Sequence, residues 1–399
     1  MRTEEGVFEC GDLPLQRGGT LKGARIVYKT FGTLSPKRDN VIVYPTSYSA
    51  QHTDTEWLVS PEHCLDPSRY FIVIPNMFTN GLSSSPSNTP GEFPQVTTYD
   101  NVTQQRRLLN ELFGVDRVKM VYGWSMGAQQ AYHWAALFGD VVERIVVNCG
   151  SAKTAPHNFV FLEGVRTAVQ AARTPEDGLR AMGRIYAGWA LSQTFYRREL
   201  WRGLGFKDLE DFLVRSWEAS FLRRDMRDLL AQLWTWQAGD ISANDLYRGD
   251  LQMALAGIKA KVLLMPSATD LYFQTDDNRA ELPHLKYGKL VEIPSVWGHR
   301  AGNPAANPED AAFIDAQVKA RRLESASVYL SQLVLMEQLK PDRSRIEALV
   351  LEGLNSGPST PLTRQDWEDI EREGLALLAE ENKNGGQRQK KPRRPKRSA

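Results

Sequence analysis

Cysteine is scarce in this chain: three in 399 residues, Cys10, Cys64 and Cys149, far apart and odd in number. That excludes a disulfide framework and close thiolate metal spacing, so no metal site is expected, and the thiols read as reduced ones in a cytoplasmic protein. Long apolar runs are missing as well. No stretch approaches ~18 uninterrupted apolar residues, which excludes a membrane-spanning helix. Met1-Arg2-Thr3-Glu4-Glu5 lacks the apolar core of a secretory signal. Nor does the body carry an excess of positive charge. The net charge is +1, but Arg388 to Ala399 hold seven Lys or Arg and no acid, leaving residues 1–387 at −6. A body of that sign gives no support to a nucleic-acid partner. The tail, 385–399, reads as a basic disordered end, with a nuclear address as the functional alternative.

What the chain does have is a short run, Val118–Tyr122, followed at once by Gly123-Trp124-Ser125-Met126-Gly127 and a helical stretch from Ala128 to Phe138. Strand, G-x-S-x-G, helix is the pattern of a nucleophile elbow: a turn so sharp that glycine is needed two residues either side of the serine, with the hydroxyl pushed out above the sheet. Around it, strand-length apolar runs alternate with helical patterns. They cover Ala24–Phe31, Val41–Tyr44, Phe71–Pro75 and Ile145–Asn148, then resume at Lys261–Met265 and Lys289–Ile293. Alternation of this kind predicts an α/β fold, a mostly parallel central sheet with helices on both faces. Residues 152–256 read as almost wholly helical and contain Trp189, Trp201, Trp217, Trp234 and Trp236, half of the ten tryptophans. An aromatic-rich helical insertion above a site is expected to form a lid over an apolar tunnel. The resulting division is a hydrolase core in two parts, 1–151 and 257–340, a helical lid at 152–256, a helical extension at 341–384 and the tail.

A serine hydroxyl is a weak nucleophile until a base takes its proton and a third group orients that base. In α/β-hydrolase chains the order is Ser, then acid, then His, each in a loop after a core strand. Val262–Met265 runs into a small-residue turn that ends on Asp270; Asp276 and Asp277 are the rival acids. Val291–Ile293 runs into a loop containing His299, one of only six histidines. The expected catalytic set is therefore Ser125, Asp270 and His299. The oxyanion should be held by the backbone N–H of Met126 and by one from Ser47 or Tyr48, in the loop after the strand beginning at Val41. A serine at the elbow favours acyl transfer over the attack on carbon made by enzymes of this fold with an elbow aspartate. Cys149, closing a buried strand, reads as core.

Several stretches together resemble the homoserine O-acetyltransferase family of α/β-hydrolases, over roughly residues 5 to 305. They are the loop Asn76–Asn88, the helix opening at Tyr99-Asp100-Asn101-Val102, the elbow with Ala128-Gln129, and the acid turn Ala268-Thr269-Asp270-Leu271-Tyr272-Phe273. The resemblance implies ping-pong transfer of an acetyl group from acetyl-CoA, as donor substrate rather than bound cofactor, through a serine to a small hydroxy amino acid. It implies a homodimer through lid helices, and an early lid arginine, Arg166, holding the acceptor carboxylate. Three positions depart from the family. Trp124 stands where its elbow has a second glycine, giving a bulkier tunnel wall. Pro45-Thr46-Ser47-Tyr48 replaces its usual His-Ala-Leu-Thr. Arg300 follows the histidine where the family has an aspartate near the substrate ammonium, so a substrate with an acidic or neutral end is expected. His157 and Asn158 are read either as pocket residues or as loop caps. The expected activity is thus serine-dependent ester hydrolysis or O-acyl transfer on a small-molecule acyl substrate, with a catalytically inactive binding protein as the alternative.

Overall fold

A computed structural model describes residues 2–322. Its eight strands form one sheet in the order β1-β2-β4-β3-β5-β6-β7-β8. The strands are β1 (Thr3–Pro14), β2 (Thr20–Phe31), β3 (Val41–Val43), β4 (Phe71–Pro75), β5 (Met120–Trp124), β6 (Arg144–Asn148), β7 (Lys261–Met265) and β8 (Gly288–Leu290). β1 and β2 form an antiparallel hairpin and β2 joins β4 antiparallel; from β4 to β8 every pairing is parallel.

The apolar runs follow from this placement. Val41, Val43, Val121, Ile145, Val147, Val262 and Leu264 point into one core, while Ile42, Tyr44, Met120, Tyr122, Val146, Leu263 and Met265 point into the other. A parallel strand covered on both faces has no polar side, so its sequence reads as a continuous apolar run. The first core is closed by α1 (Thr98–Phe113), which contributes Leu108 and Leu109, and by α2 (Met126–Leu137), which contributes Ala131, Trp134 and Ala135. The second is closed by the helix Pro308–Arg322 through Ile314 and Val318. α1 starts at a reciprocal cap: Thr97 Oγ1 accepts from the Asp100 amide, and the Asp100 carboxylate accepts from the Thr97 amide at 2.8 Å.

Between β6 and β7 lies the helical insertion: α3 (Pro156–Gln170), α4 (Pro175–Ala190), the short α5 (Gln193–Arg197), α6 (Leu209–Phe212) and α7 (Ala219–Leu222), then α8 (Met226–Gln237) and α9 (Leu251–Ala256). Its inner side chains, among them Phe161, Met182, Tyr186, Leu233 and Trp236, pack with Tyr48, Met126, Tyr272 and Phe273 of the core. α10 (Thr275–Glu281) and α11, the Pro308–Arg322 helix, complete the body. Of the second part of the core, 257–340, the residues after 322 lie outside the described residues, as do the 341–384 extension and the basic tail. β1 was not among the expected strands. It is an edge strand whose inward side chains are few, Phe8, Cys10 and Leu13, spaced among Glu4, Glu5, Glu9 and Asp12. Among the described residues no helix is long and apolar enough to cross a membrane.

Candidate active site

Ser125 sits between β5 and α2 with φ 57° and ψ −127°, a region that non-glycine residues avoid. Such strain costs about 1–3 kcal/mol and persists only where the surroundings impose it. Here they do. A Cβ on Gly123 would lie 2.2 Å from the Gly127 carbonyl oxygen, and one on Gly127 would lie 2.8 Å from that of Pro45. The turn therefore requires both glycines of the motif. Ser125 is buried and N-caps α2 without giving its hydroxyl to a helix amide, the usual use of serine there. That leaves the hydroxyl available for chemistry.

Asp270 and His299 meet directly. His299 Nδ1 and Asp270 Oδ2 are 2.7 Å apart, and the Asp270 side chain is fully enclosed. Its other oxygen accepts the backbone N–H groups of Tyr272 at 2.7 Å and Phe273 at 3.2 Å, which fixes the carboxylate. The rival acids go elsewhere: Asp276 pairs with Arg279 at the surface and Asp277 lines a separate groove. His299 lies on a tight turn, Gly298–Gly302, stacked on Trp124 with ring centroids 5.2 Å apart, while Tyr272 meets it edge-on at 4.7 Å. Trp124 Nε1 also donates to the His299 carbonyl at 3.2 Å. Trp124 thus both walls the site and clamps the histidine, a role the elbow pattern alone does not announce. The insertion is tied to this turn, because Ser192 Oγ donates to the Val296 carbonyl at 2.5 Å. A Cβ on Gly298, at φ 58°, would come 2.8 Å from the Ala190 carbonyl oxygen.

Ser125 and His299 line one cavity of about 80 Å³, together with Ser47, Tyr48, Trp124 and Arg300. That is well above the ~10–15 Å³ needed to hold a single water. Among the described residues, the backbone N–H groups of Ser47, Tyr48 and Met126 donate to no acceptor, whereas the side chains are tied down. Ser47 Oγ donates to the Trp124 carbonyl, and Tyr48 Oη to that of Leu229 at 3.1 Å. Met126 opens α2, so its N–H carries the partial positive charge of a helix N-terminus.

Arg166 is not in this site. Its guanidinium is held by Glu163 one turn earlier and by Gln170 one turn later, at the surface. The reason is angular: α3 buries Phe161, Leu162, Val165 and Val169, and position 166 falls outside that stripe. His157 and Asn158 do not line the cavity either. His157 packs on Trp189 and Asn158 is buried. The walls that sequence reasoning did not single out include Ser49, Tyr186, Ala190, Ser220 and Phe221, while Trp217 and Trp236 were visible only as tryptophans of the insertion. A signal existed for two of them, since Met182, Tyr186 and Ala190 recur every four residues along α4. Cys149 is buried as expected, yet its sulfur, an Asp270 oxygen and a His299 nitrogen lie within 4.8 Å of one another. Burial and the neighbouring Asp270 charge push its thiol well above the ordinary range. Two of those three donor groups already bond each other.

Comparison with known proteins agrees with this fold. A family model described as the alpha/beta hydrolase fold matches residues 56–299. An ethyl acetate hydrolase of Pseudomonas veronii is 35% identical over 319 residues, covering 74% of this chain and 91% of that protein. A homoserine O-acetyltransferase of Cyclobacterium marinum is 28% identical over 320 residues, covering 74% and 90%. The crystal structure of an acetylester hydrolase from Corynebacterium glutamicum superposes with a TM-score of 0.75 at 34% identity, covering 79% of this chain and 95% of that one. The similarity to homoserine acetyltransferases read from the loops is therefore present, and ester hydrolases share it.

Proposed function

The chain belongs to the α/β-hydrolase family, and within it we propose that this protein hydrolyses short-acyl esters through a covalent acyl-Ser125 intermediate. The observation that carries the reading is the 2.7 Å His299–Asp270 pair, whose histidine lines the same small cavity as a serine held on a strained elbow. Ser125 Oγ attacks the ester carbonyl carbon while His299 takes its proton through Nε2. Asp270, bonded to Nδ1, holds the ring in place and stabilises the imidazolium. The negative charge on the carbonyl oxygen is met by the N–H of Met126 and by that of Ser47 or Tyr48. The alcohol departs with the proton from His299. A water then repeats the sequence on the acyl-serine and releases the acid. No cofactor enters any step.

Two observations favour water over an amino-acid acceptor. The hydrolases of similar sequence are closer in identity than the acetyltransferase, at 34–35% against 28%. In addition, Arg300 lines the cavity where the acetyltransferase pattern has an anion for the substrate ammonium. Two like charges about 4–5 Å apart repel by a few kcal/mol at an effective dielectric of about 20. The transferase reading keeps acetyl-CoA as donor, and one experiment separates the two. The protein is incubated with p-nitrophenyl acetate and with acetyl-CoA, each with and without homoserine. Acetate release that ignores homoserine supports the hydrolase; turnover that depends on homoserine overturns it. The expected homodimer is likewise a proposal, supported by the exposed Phe159 and Val160 on lid helix α3; sedimentation across concentrations tests it.

A further inference from the structure

The Ser125 cavity shares a wall with a second one. This neighbour, of about 170 Å³, is lined by Leu191, Phe195, Phe212, Trp297 and Asn307. Trp217, Ser220 and Arg300 line both. The shared wall thus carries one formal charge, and that charge is positive. Among the described residues the Arg300 guanidinium makes no hydrogen bond and no ion pair, and it lies over the Trp124 ring, 5.9 Å from the centroid. The carboxylate whose charge reaches it, Asp54, is already bonded to Arg223 at 3.2 Å and to Arg224. Trp217, on the same wall, keeps its indole N–H enclosed without an acceptor.

An arginine cannot escape burial by shedding its proton, because its ordinary pKa is above ~12. Arg300 is half-buried, and desolvation there pushes its pKa downward from that value. Charged groups taken from water are ordinarily paired, since the desolvation penalty is otherwise uncompensated. Arg224, whose side chain is also largely withdrawn from water, follows that rule by pairing with Asp54. Arg300 faces cavity space instead.

We propose that Arg300 is a carboxylate-recognising residue and that the preferred substrate is a short-acyl ester bearing a carboxylate a few atoms from the ester bond. The carbonyl sits beside Ser125, and the remainder of the molecule extends along the shared wall so that its carboxylate meets the guanidinium fork. This inference rests on the acyl-Ser125 reading and names the substrate class for that same site. It goes beyond the exclusion of an ammonium, because a neutral alkyl ester would satisfy that exclusion equally well.

The test compares 3-acetoxypropanoate with its uncharged counterpart 3-acetoxypropanamide, measuring kcat/KM for the wild type, Arg300→Gln and Arg300→Lys. The wild type is expected to prefer the anion by about tenfold or more, Arg300→Gln to lose that preference to within about twofold, and Arg300→Lys to keep part of it. No preference in the wild type, or an equal fall for both esters in Arg300→Gln, overturns the proposal. p-Nitrophenyl acetate in parallel reports the serine chemistry: turnover of it without an anion preference sinks only the Arg300 assignment. Should no ester be turned over, calorimetric titration of Ser125→Ala with 3-hydroxypropanoate decides. Binding weakened about tenfold by adding Arg300→Gln supports the assignment, and unchanged binding or none contradicts it.

Discussion

The strand ends and the lid seam of this molecule are specified in different ways. At the strand ends, the proposed catalytic groups are held by backbone. Ser125, Asp270 and His299 each follow a strand of the parallel sheet, each in a turn whose local sequence is constrained: glycines 123 and 127 by contacts of 2.2 and 2.8 Å, Asp270 by two backbone amides, Gly298 by the end of α4. At the seam, function is written in side chains from remote segments. Tyr48, Tyr186, Trp217, Trp236 and Arg300 come from five separate stretches and meet only because the insertion folds over the sheet. The difference teaches that, on the proposed function, the reaction type is fixed locally and the substrate by tertiary packing.

The largest expected effect breaks the strand-end half of the comparison. Asp270→Asn keeps the shape but removes the charge that stabilises the imidazolium, so kcat on p-nitrophenyl acetate should fall about 10³–10⁴-fold with the melting temperature little changed. A loss under tenfold would mean that the pair is structural. At the join of the two regions stands Trp124, which stacks on His299 and bonds its carbonyl. Trp124→Ala should lower kcat about tenfold with a smaller change in KM, because it loosens the base while leaving the nucleophile in place.

A third prediction concerns how the insertion is pinned. Glu281 on α10 accepts from Tyr132 Oη at 2.7 Å, from the Ala152 amide at 2.6 Å and from Asn278 at 2.8 Å, so it fastens the first residues after β6 to α2 and α10. Burial pushes its carboxyl up to about 7. Because the folded value lies above the unfolded one, its contribution is fully present below about pH 4.5 and is lost as pH rises through about 7. Denaturant unfolding should therefore show wild-type stability falling by on the order of 2–3 kcal/mol between pH 5 and pH 8 through this group, with a visibly flatter profile in Glu281→Gln. Parallel profiles would remove Glu281 as the cause. The smallest effect belongs to Arg166→Ala. An exposed ion pair contributes little, so kcat/KM should stay within about twofold of the wild type and the melting temperature should be nearly unchanged. A large rise in KM would restore the role that family resemblance assigns to Arg166.

The same division explains what could be read beforehand. β4 and β7 were legible to the residue because a strand buried on both faces has no choice but to be apolar. β1 was not, since an edge strand needs few inward residues and carries charges that discourage further pairing. Asp270 and His299 were legible through topological order. Arg166 was misplaced because a position transferred by resemblance carries no information about helix phase, and here Glu163 and Gln170 capture the guanidinium at the surface. Trp217 and Trp236 were visible as tryptophans, but nothing local says which face of the insertion they occupy.

The central claim is that the chemistry passes through an acyl group on Ser125. Its most direct test is intact mass and peptide mapping after treatment with a fluorophosphonate. The account predicts one stoichiometric adduct on the peptide containing Ser125, none in Ser125→Ala, and at least a 10⁴-fold loss of esterase turnover in that variant. No adduct on the wild type, or full turnover retained in Ser125→Ala, would contradict it.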